Sequence, residues 1–207
     1  MSRDARASAL NPGVARREVW AWAMYDFANS GYTTVVLTAV FNAYFVSVVA
    51  ANADWATFAW TAALSVSYLV VMVIGPLYGA WADAHAAKKR VLGVSTIVCI
   101  AGTVALAWTG AGDVTWAVVF IVISNVAYSM GENLVAAFLP ELSRPEALGK
   151  VSGWGWSLGY FGGILALGLS LAWVMTASAR GSTSAAAVPG TMVITAARPP
   201  TQATVLA

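Results

Sequence analysis

Long stretches without a charged side chain constrain this sequence more than any other feature. Charged residues make up 10% of the 207 residues, against about 25% in soluble domains, and the mean hydropathy is +0.73. A helix that crosses a bilayer needs about 20 mostly apolar residues, and charges divide the chain into segments of that size. We therefore predict an all-α, polytopic membrane protein whose solvent is the lipid bilayer.

These stretches predict about five transmembrane helices within residues 19–175. The first helix is expected to begin near Trp20, and the fourth to continue through Glu132 to Leu139. The predicted spans are residues 27–53, 55–82, 91–112, 114–131 and 151–175.

The basic residues predict the orientation of the helices. Four arginines precede the first helix, the cluster 88–90 lies in the second connection, and Arg144 and Lys150 lie in the fourth. The first and third connections contain no Lys or Arg. Since cytoplasmic loops carry an excess of Lys and Arg, we predict that residues 1–18 form a cytoplasmic basic tail.

Residues 176–207 differ in composition from the rest of the chain. They are rich in Ala, Ser, Thr and Pro, and no apolar run long enough to span a bilayer remains. This composition predicts a disordered or aberrant low-complexity tail. By alternation of the spans, the tail would lie outside the cytoplasm.

The sequence lacks the usual enzyme signatures. It contains one histidine and one cysteine, too few for a zinc site or a hydrolase triad, and no phosphate-binding loop. We expect no enzymatic activity, no cofactor, no metal and no nucleic-acid partner. Polar groups within the bilayer are then explained by packing, gating or transport.

The first helix carries a polar face formed by Asp26, Asn29 and Thr33, which are spaced i, i+3, i+7. A carboxylate inside a membrane is costly and typical of a functional site. One interpretation is a substrate or proton site near the cytoplasmic end of the helix. The other is an Asp at the interface that caps or anchors the helix in headgroup water.

The fourth helix carries a second polar face, formed by Asn125, Ser129, Glu132 and Asn133. Glu132 is predicted near the cytoplasmic boundary, at a depth similar to that of Asp26, so the two carboxylates are expected to face a common cavity. Alternatively, Glu132 pairs with a basic loop residue such as Arg144.

The second helix ends in a pattern that suggests a cytoplasmic gate. Gly79 permits close backbone approach, Asp83 ends the helix, and Lys88, Lys89 and Arg90 follow. These residues are candidates for a salt-bridge latch between helices. A solvated positive loop that only fixes topology is the alternative.

The fifth helix contains the small-xxx-small repeat of Gly155, Gly159 and Gly163, which lets helices approach closely. Gly162 is expected to add local flexibility. This pattern favours helix packing, and a helix that slides or bends during gating would use the same residues.

Three stretches resemble a known family. Residues 22–34, residues 75–90 and residues 133–163 are similar to the N-terminal half of major facilitator superfamily transporters. Within it, the closest resemblance is to the branch that contains the vacuolar amino-acid effluxers of autophagy and their bacterial relatives. His85, Ala86 and Ala87 replace the glycine and arginine usual in the loop motif, so the latch is expected to be weakened or formed differently.

The resemblance implies secondary transport of a small solute, an amino acid being one candidate, by alternating access. Substrate in such folds binds between two halves near the midplane, so a complementary C-terminal half is expected as a partner. With five helices the chain would be a truncated, non-autonomous form, in the bacterial inner (plasma) membrane. The alternative function is a non-transport scaffold or assembly partner that uses the glycine face of helix five.

Overall fold

The computed structural model describes residues 9–197. Its helices are α1 (Arg16–Val49), α2 (Ala56–Ala84), α3 (Lys88–Leu106), α4 (Val114–Leu142), α5 (Leu148–Ala179) and α6 (Ser184–Ala196). Five of the helices in this part of the chain are long and apolar enough to cross a membrane, and α6 is shorter. The predicted all-α, polytopic fold is confirmed.

The first helix is one continuous rod with two π-helical segments, Tyr32–Ala39 and Phe45–Val49. The Thr38 hydroxyl donates to the carbonyl oxygen of Thr33, five residues earlier, at 2.9 Å. π-Helical turns are rare and often occur at functional sites. The first of these segments begins next to the predicted polar face.

Two pairs of helices form most of the bundle. α1 packs along α5, and α3 packs along α4, which also contacts α2. One buried cluster surrounds Phe41, Trp60 and Ile121, and a second surrounds Trp22 and Leu92 near the start of α1. Large apolar side chains elsewhere on the bundle are exposed, as expected of a surface that faces lipid.

The chain just before α1 is held against the end of α4. The Asn11 side chain donates to the carbonyl oxygens of Pro140 and Glu141 at 2.9 and 2.8 Å. The Arg144 guanidinium donates to the carbonyl oxygen of Leu10 at 3.1 Å. Residues 16–18 of the predicted basic tail belong to α1, and residues 1–8 lie outside the described residues.

The prediction of disorder after residue 175 is wrong for most of the described part of that segment. α5 continues to Ala179, a turn follows in which Gly181 has φ +86°, and α6 runs from Ser184 to Ala196. Met192 of α6 is fully buried. Residues 198–207 lie outside the described part of the chain.

α6 was missed because the prediction relied on the length of apolar runs. A helix of 13 residues is only about 20 Å long, too short to give the signal of a full span. Its small side chains let it pack closely against α5, where the Trp173 indole donates to the carbonyl oxygen of Ala187 at 3.1 Å. Contacts with α1 and α3 complete its burial.

Candidate functional site

The centre of the candidate site is a series of polar contacts between α1 and α4. The Asn29 amide nitrogen donates to Oε1 of Glu132 at 2.5 Å, and one helical turn further along α1 the Thr33 hydroxyl donates to the Tyr128 hydroxyl at 2.7 Å. Asn29 is buried and Glu132 is half-buried. The two predicted polar faces therefore meet at this pair of residues.

An aromatic pair extends this interface. The rings of Tyr32 and Tyr128 stack with centroids 4.8 Å apart, and the hydroxyls of Tyr32 and Ser124 lie within hydrogen-bond distance at 2.8 Å. Tyr32 is fully buried. Its place beside Thr33 was visible in the sequence, but only the packing of the two helices shows that it contacts α4.

Asp26 lies where α1 packs against α5. It is half-buried, and a Cβ added to Gly159 would lie 2.5 Å from its Oδ2 and 2.8 Å from the hydroxyl oxygen of Ser30. The absence of a side chain at Gly159 thus leaves room for the carboxylate. Asp26 and Glu132 are placed at two neighbouring interfaces of α1.

The two asparagines of α4 also lie in different surroundings. Asn125 is fully buried and donates to the hydroxyl of Ser67 in α2 at 2.6 Å. The side-chain amide oxygen of Asn125 has no hydrogen-bond partner among the described residues. Asn133 is exposed, with its amide nitrogen 3.9 Å from a Cβ added to Gly75 of α2. The six predicted cavity residues are therefore distributed over the contacts of α1 and α4 with each other, with α2 and with α5.

The helices on either side of this polar region are the least buried of the spans. In the most apolar window of α2 17% of the residues are buried and in that of α5 22%, against 39–44% in α1, α3 and α4. The polar contacts are thus carried by well-packed helices, and both flanking helices expose apolar surface. Within residues 9–197 no three His, Cys, Asp or Glu side chains form a group that suits a metal ion.

A second polar cluster joins the ends of α2, α3 and α4. The Lys88 ammonium lies 2.9 Å from Oδ1 of Asp83 and 2.7 Å from Oε1 of Glu141, and 5.9 Å from the ring centroid of Phe138. One cation therefore ties together three helix ends. Glu141 was not among the predicted gate residues, although its position at the end of the fourth helix was a signal for it.

The other predicted gate residues lie outside this cluster. Lys89 and Arg90 are exposed and line a pocket of about 570 Å³ together with Trp81 and His85. A Cβ added to Gly79 would meet nothing within 4 Å, so the close backbone approach predicted there is not present in this structure.

The glycines of α5 face α1. A Cβ added to Gly155 would lie 2.5 Å from the Trp22 ring, and one added to Gly163 would lie 2.7 Å from the Thr34 hydroxyl oxygen. At Gly162, to which the sequence analysis assigned flexibility, an added Cβ would overlap the carbonyl oxygen of Phe27. Gly162 therefore marks the closest approach of the two helices, and the face is fully used within the chain.

Comparison with known proteins places these features in a family. The sequence model of the family described as "Vacuole effluxer Atg22 like" matches residues 44–197. The chain belongs to this Atg22-like family. The match extends through α6, so residues 176–197 are part of the family sequence. The predicted family resemblance is confirmed.

A bacterial protein is similar to most of this Atg22-like chain. It is the uncharacterized MFS-type transporter YxiO of Bacillus subtilis (strain 168), and it is 30% identical over 162 residues, which cover 77% of this chain and 38% of YxiO. The chain thus spans less than half the length of this relative. No solved structure matches this Atg22-like chain.

Proposed function

We propose that this Atg22-like chain forms the N-terminal half of the helical framework of a secondary transporter, which moves a small solute by alternating access. An amino acid is the proposed solute class. The observation that carries the proposal is the hydrogen bond between Asn29 and Glu132, which sets a carboxyl group inside an apolar bundle. Ionisable residues at such positions in membrane helices mark substrate or proton pathways.

Glu132 is proposed as the group that couples transport to protons. Its carboxyl group is half-buried and is held by an amide that donates whether or not the acid is protonated. A proton can therefore leave or return without loss of this contact. Asp26, Asn29, Thr33, Asn125 and Asn133 are proposed as further residues of the solute cavity.

The cluster around Lys88 is proposed as a cytoplasmic gate. Because its carboxylates lie on α2 and α4 and its cation on α3, separating one of these helix ends from the other two breaks at least one ion pair. Gly79, Lys89 and Arg90 are proposed to act in the same region. The N-terminus is proposed to be cytoplasmic and the membrane to be a bacterial inner membrane.

The solute cavity is proposed to be completed by a complementary C-terminal half. Alternating access requires a second wall, and the exposed side of α5 offers Trp156, Tyr160 and Phe161, each at least 58% exposed. A scaffold function through the α5 glycines is less well supported. Those glycines already pack against α1 of the same chain, so a partner would have to use another face.

The proposal is tested in proteoliposomes loaded with the pH indicator pyranine, with a mixture of the twenty common amino acids added outside. The chain is reconstituted alone and together with the part of YxiO that lies outside the matched region. We expect amino-acid-driven proton movement with both parts present, its loss in Glu132→Gln and a strong reduction in Asp26→Asn. Asp54→Asn, in an exposed loop, is the matched control and should behave like the unaltered chain. Normal proton movement in both Glu132→Gln and Asp26→Asn would refute the site.

A further inference from the structure

A pocket that the transport proposal does not use lies between the first turns of α1 and α5. Its volume is about 550 Å³. Both helices and the segment before α1 contribute to its walls. Its lining includes Arg16, Trp20 and Ala23 of α1 and Lys150, Trp154 and Leu158 of α5.

Two cationic side chains line this pocket. Arg16 and Lys150 are exposed, and the ion pairs found within residues 9–197 are both made by Lys88. Neither Arg16 nor Lys150 therefore has a carboxylate partner in that part of the chain. The Lys150 ammonium lies 5.6 Å from the ring centroid of Trp154. The pocket thus presents two positive charges to an anionic ligand.

The two cationic side chains lie at one end of the pocket, and most side chains at the other end are apolar. Ala23 lies seven residues beyond Arg16 along α1, and Leu158 lies eight residues beyond Lys150 along α5, about 10–12 Å deeper at the rise of an α-helix. Trp20 and Trp154 are partly exposed between these levels, in the position that indole rings take at a membrane interface. An amphipathic ligand with an anionic head matches this gradient better than a free inorganic anion.

We propose that this pocket binds the headgroup of an anionic phospholipid. Arg16 and Lys150 bind the phosphate, as basic pockets between transmembrane helices do on the cytoplasmic side. The tryptophans flank the glycerol region, and Ala23 and Leu158 contact the start of an acyl chain. The bound lipid would tie α1 to α5 at their ends, and this role does not depend on the proposed transport activity.

The test is a titration of the purified full chain in detergent micelles with dioleoyl phosphatidylglycerol and, separately, dioleoyl phosphatidylcholine, followed by native mass spectrometry. We expect tighter binding of phosphatidylglycerol, and an affinity about fivefold lower in Arg16→Gln and in Lys150→Gln, from the usual attraction of one basic residue to anionic lipid. Arg17→Gln removes an equal charge from the same helical turn without touching the pocket, and should leave the affinity unchanged.

The remaining outcomes decide against the proposal. Equal affinity for both lipids shows that the headgroup charge is not recognised, and an equal loss in Arg17→Gln shows attraction to the surface in general. Displacement of the lipid by millimolar inorganic phosphate shows a site for a free anion. Because Arg16→Gln and Lys150→Gln alter two different helices, a folding defect in one leaves the other as an independent test.

Discussion

The amide of Asn29 donates a hydrogen bond to the carboxyl group of Glu132, a residue 103 positions away in the sequence, at 2.5 Å. This bond joins the polar faces of α1 and α4. Both side chains belong to apolar helices. Each therefore provides a hydrogen-bond partner for a polar group of the other that lipid cannot solvate. The pair is therefore expected to contribute to stability as well as to the proposed transport.

The first prediction separates these two contributions. Glu132→Ala removes the acceptor and should lower the free energy of unfolding by about 1–3 kcal/mol, the cost of a buried polar group left without its partner. Glu132→Gln keeps an acceptor oxygen and should stay close to the unaltered stability. Thermal unfolding in detergent, followed by circular dichroism, measures both.

The control for this pair is Glu146→Ala. Glu146 is exposed in the turn before α5, so its loss should leave the stability unchanged. A Glu132→Ala protein as stable as the Glu146→Ala protein would contradict the stabilising role of the pair.

The second prediction concerns the ion pairs of Lys88. The side chains of Asp83 and Glu141 are 62% and 56% exposed, so solvent screens both pairs. Lys88→Gln should therefore cost at most about 1 kcal/mol of stability. The energetic coupling between Lys88 and its two carboxylates is more informative than this loss of stability, because one ammonium group forms both ion pairs.

A double-mutant cycle measures that coupling. Asp83→Asn and Glu141→Gln should each have a small effect in the unaltered chain and none in the Lys88→Gln background. The effects should also shrink in 1 M salt, where the screening length falls to about 3 Å. If Asp83→Asn keeps its full effect without Lys88, the cluster does not act as one unit.

The sequence predicted the membrane fold because each span carries its own signal. An apolar stretch of sufficient length, bounded by charges, is recognisable without its neighbours. The same locality explains what was missed. α6 is short and depends on its contacts with α5. The burial of its Met192 therefore could not be predicted from the hydropathy of the sequence.

Partners of individual polar residues could be predicted only in part. The i, i+3, i+7 spacing placed Asn29 on the face of α1 that meets α4, and the resemblance pointed to Asp83 and the basic cluster. The rotation of each helix about its own axis decides the rest. It turns Asp26 towards Gly159 of α5, buries Asn125 against Ser67 and leaves Asn133 exposed.

The third prediction tests the close approach of α1 and α5 with two glycines of the same helix. A Cβ at Gly162 overlaps the backbone of Phe27, whereas one at Gly168 meets nothing within 4 Å. Gly162→Ala should therefore destabilise the protein by about 1–3 kcal/mol or more, as overpacking does. Gly168→Ala should be neutral or stabilising by up to about 1 kcal/mol, because Ala is the better helix former.

Thermal unfolding of both variants in the same detergent provides the measurement. The comparison controls for the composition of α5, since each variant adds one methyl group to that helix. Similar unfolding temperatures for the two variants would contradict the close approach of α1 and α5 at Gly162.

The last prediction concerns the orientation of the helices. Asp54 lies between α1 and α2, Lys89 lies near the start of α3, and Ser182 lies between α5 and α6; all three are exposed. If the spans alternate, cysteines introduced at Asp54 and Ser182 react with a membrane-impermeant maleimide in intact cells. A cysteine at Lys89 should react only after the membrane is opened, because loops rich in Lys and Arg are usually retained in the cytoplasm. Cys99 is buried, and a Cys99→Ala background removes its contribution. Labelling of positions 54 and 89 from the same side would invalidate the orientation, and with it the placement of the Lys88 cluster at a cytoplasmic gate.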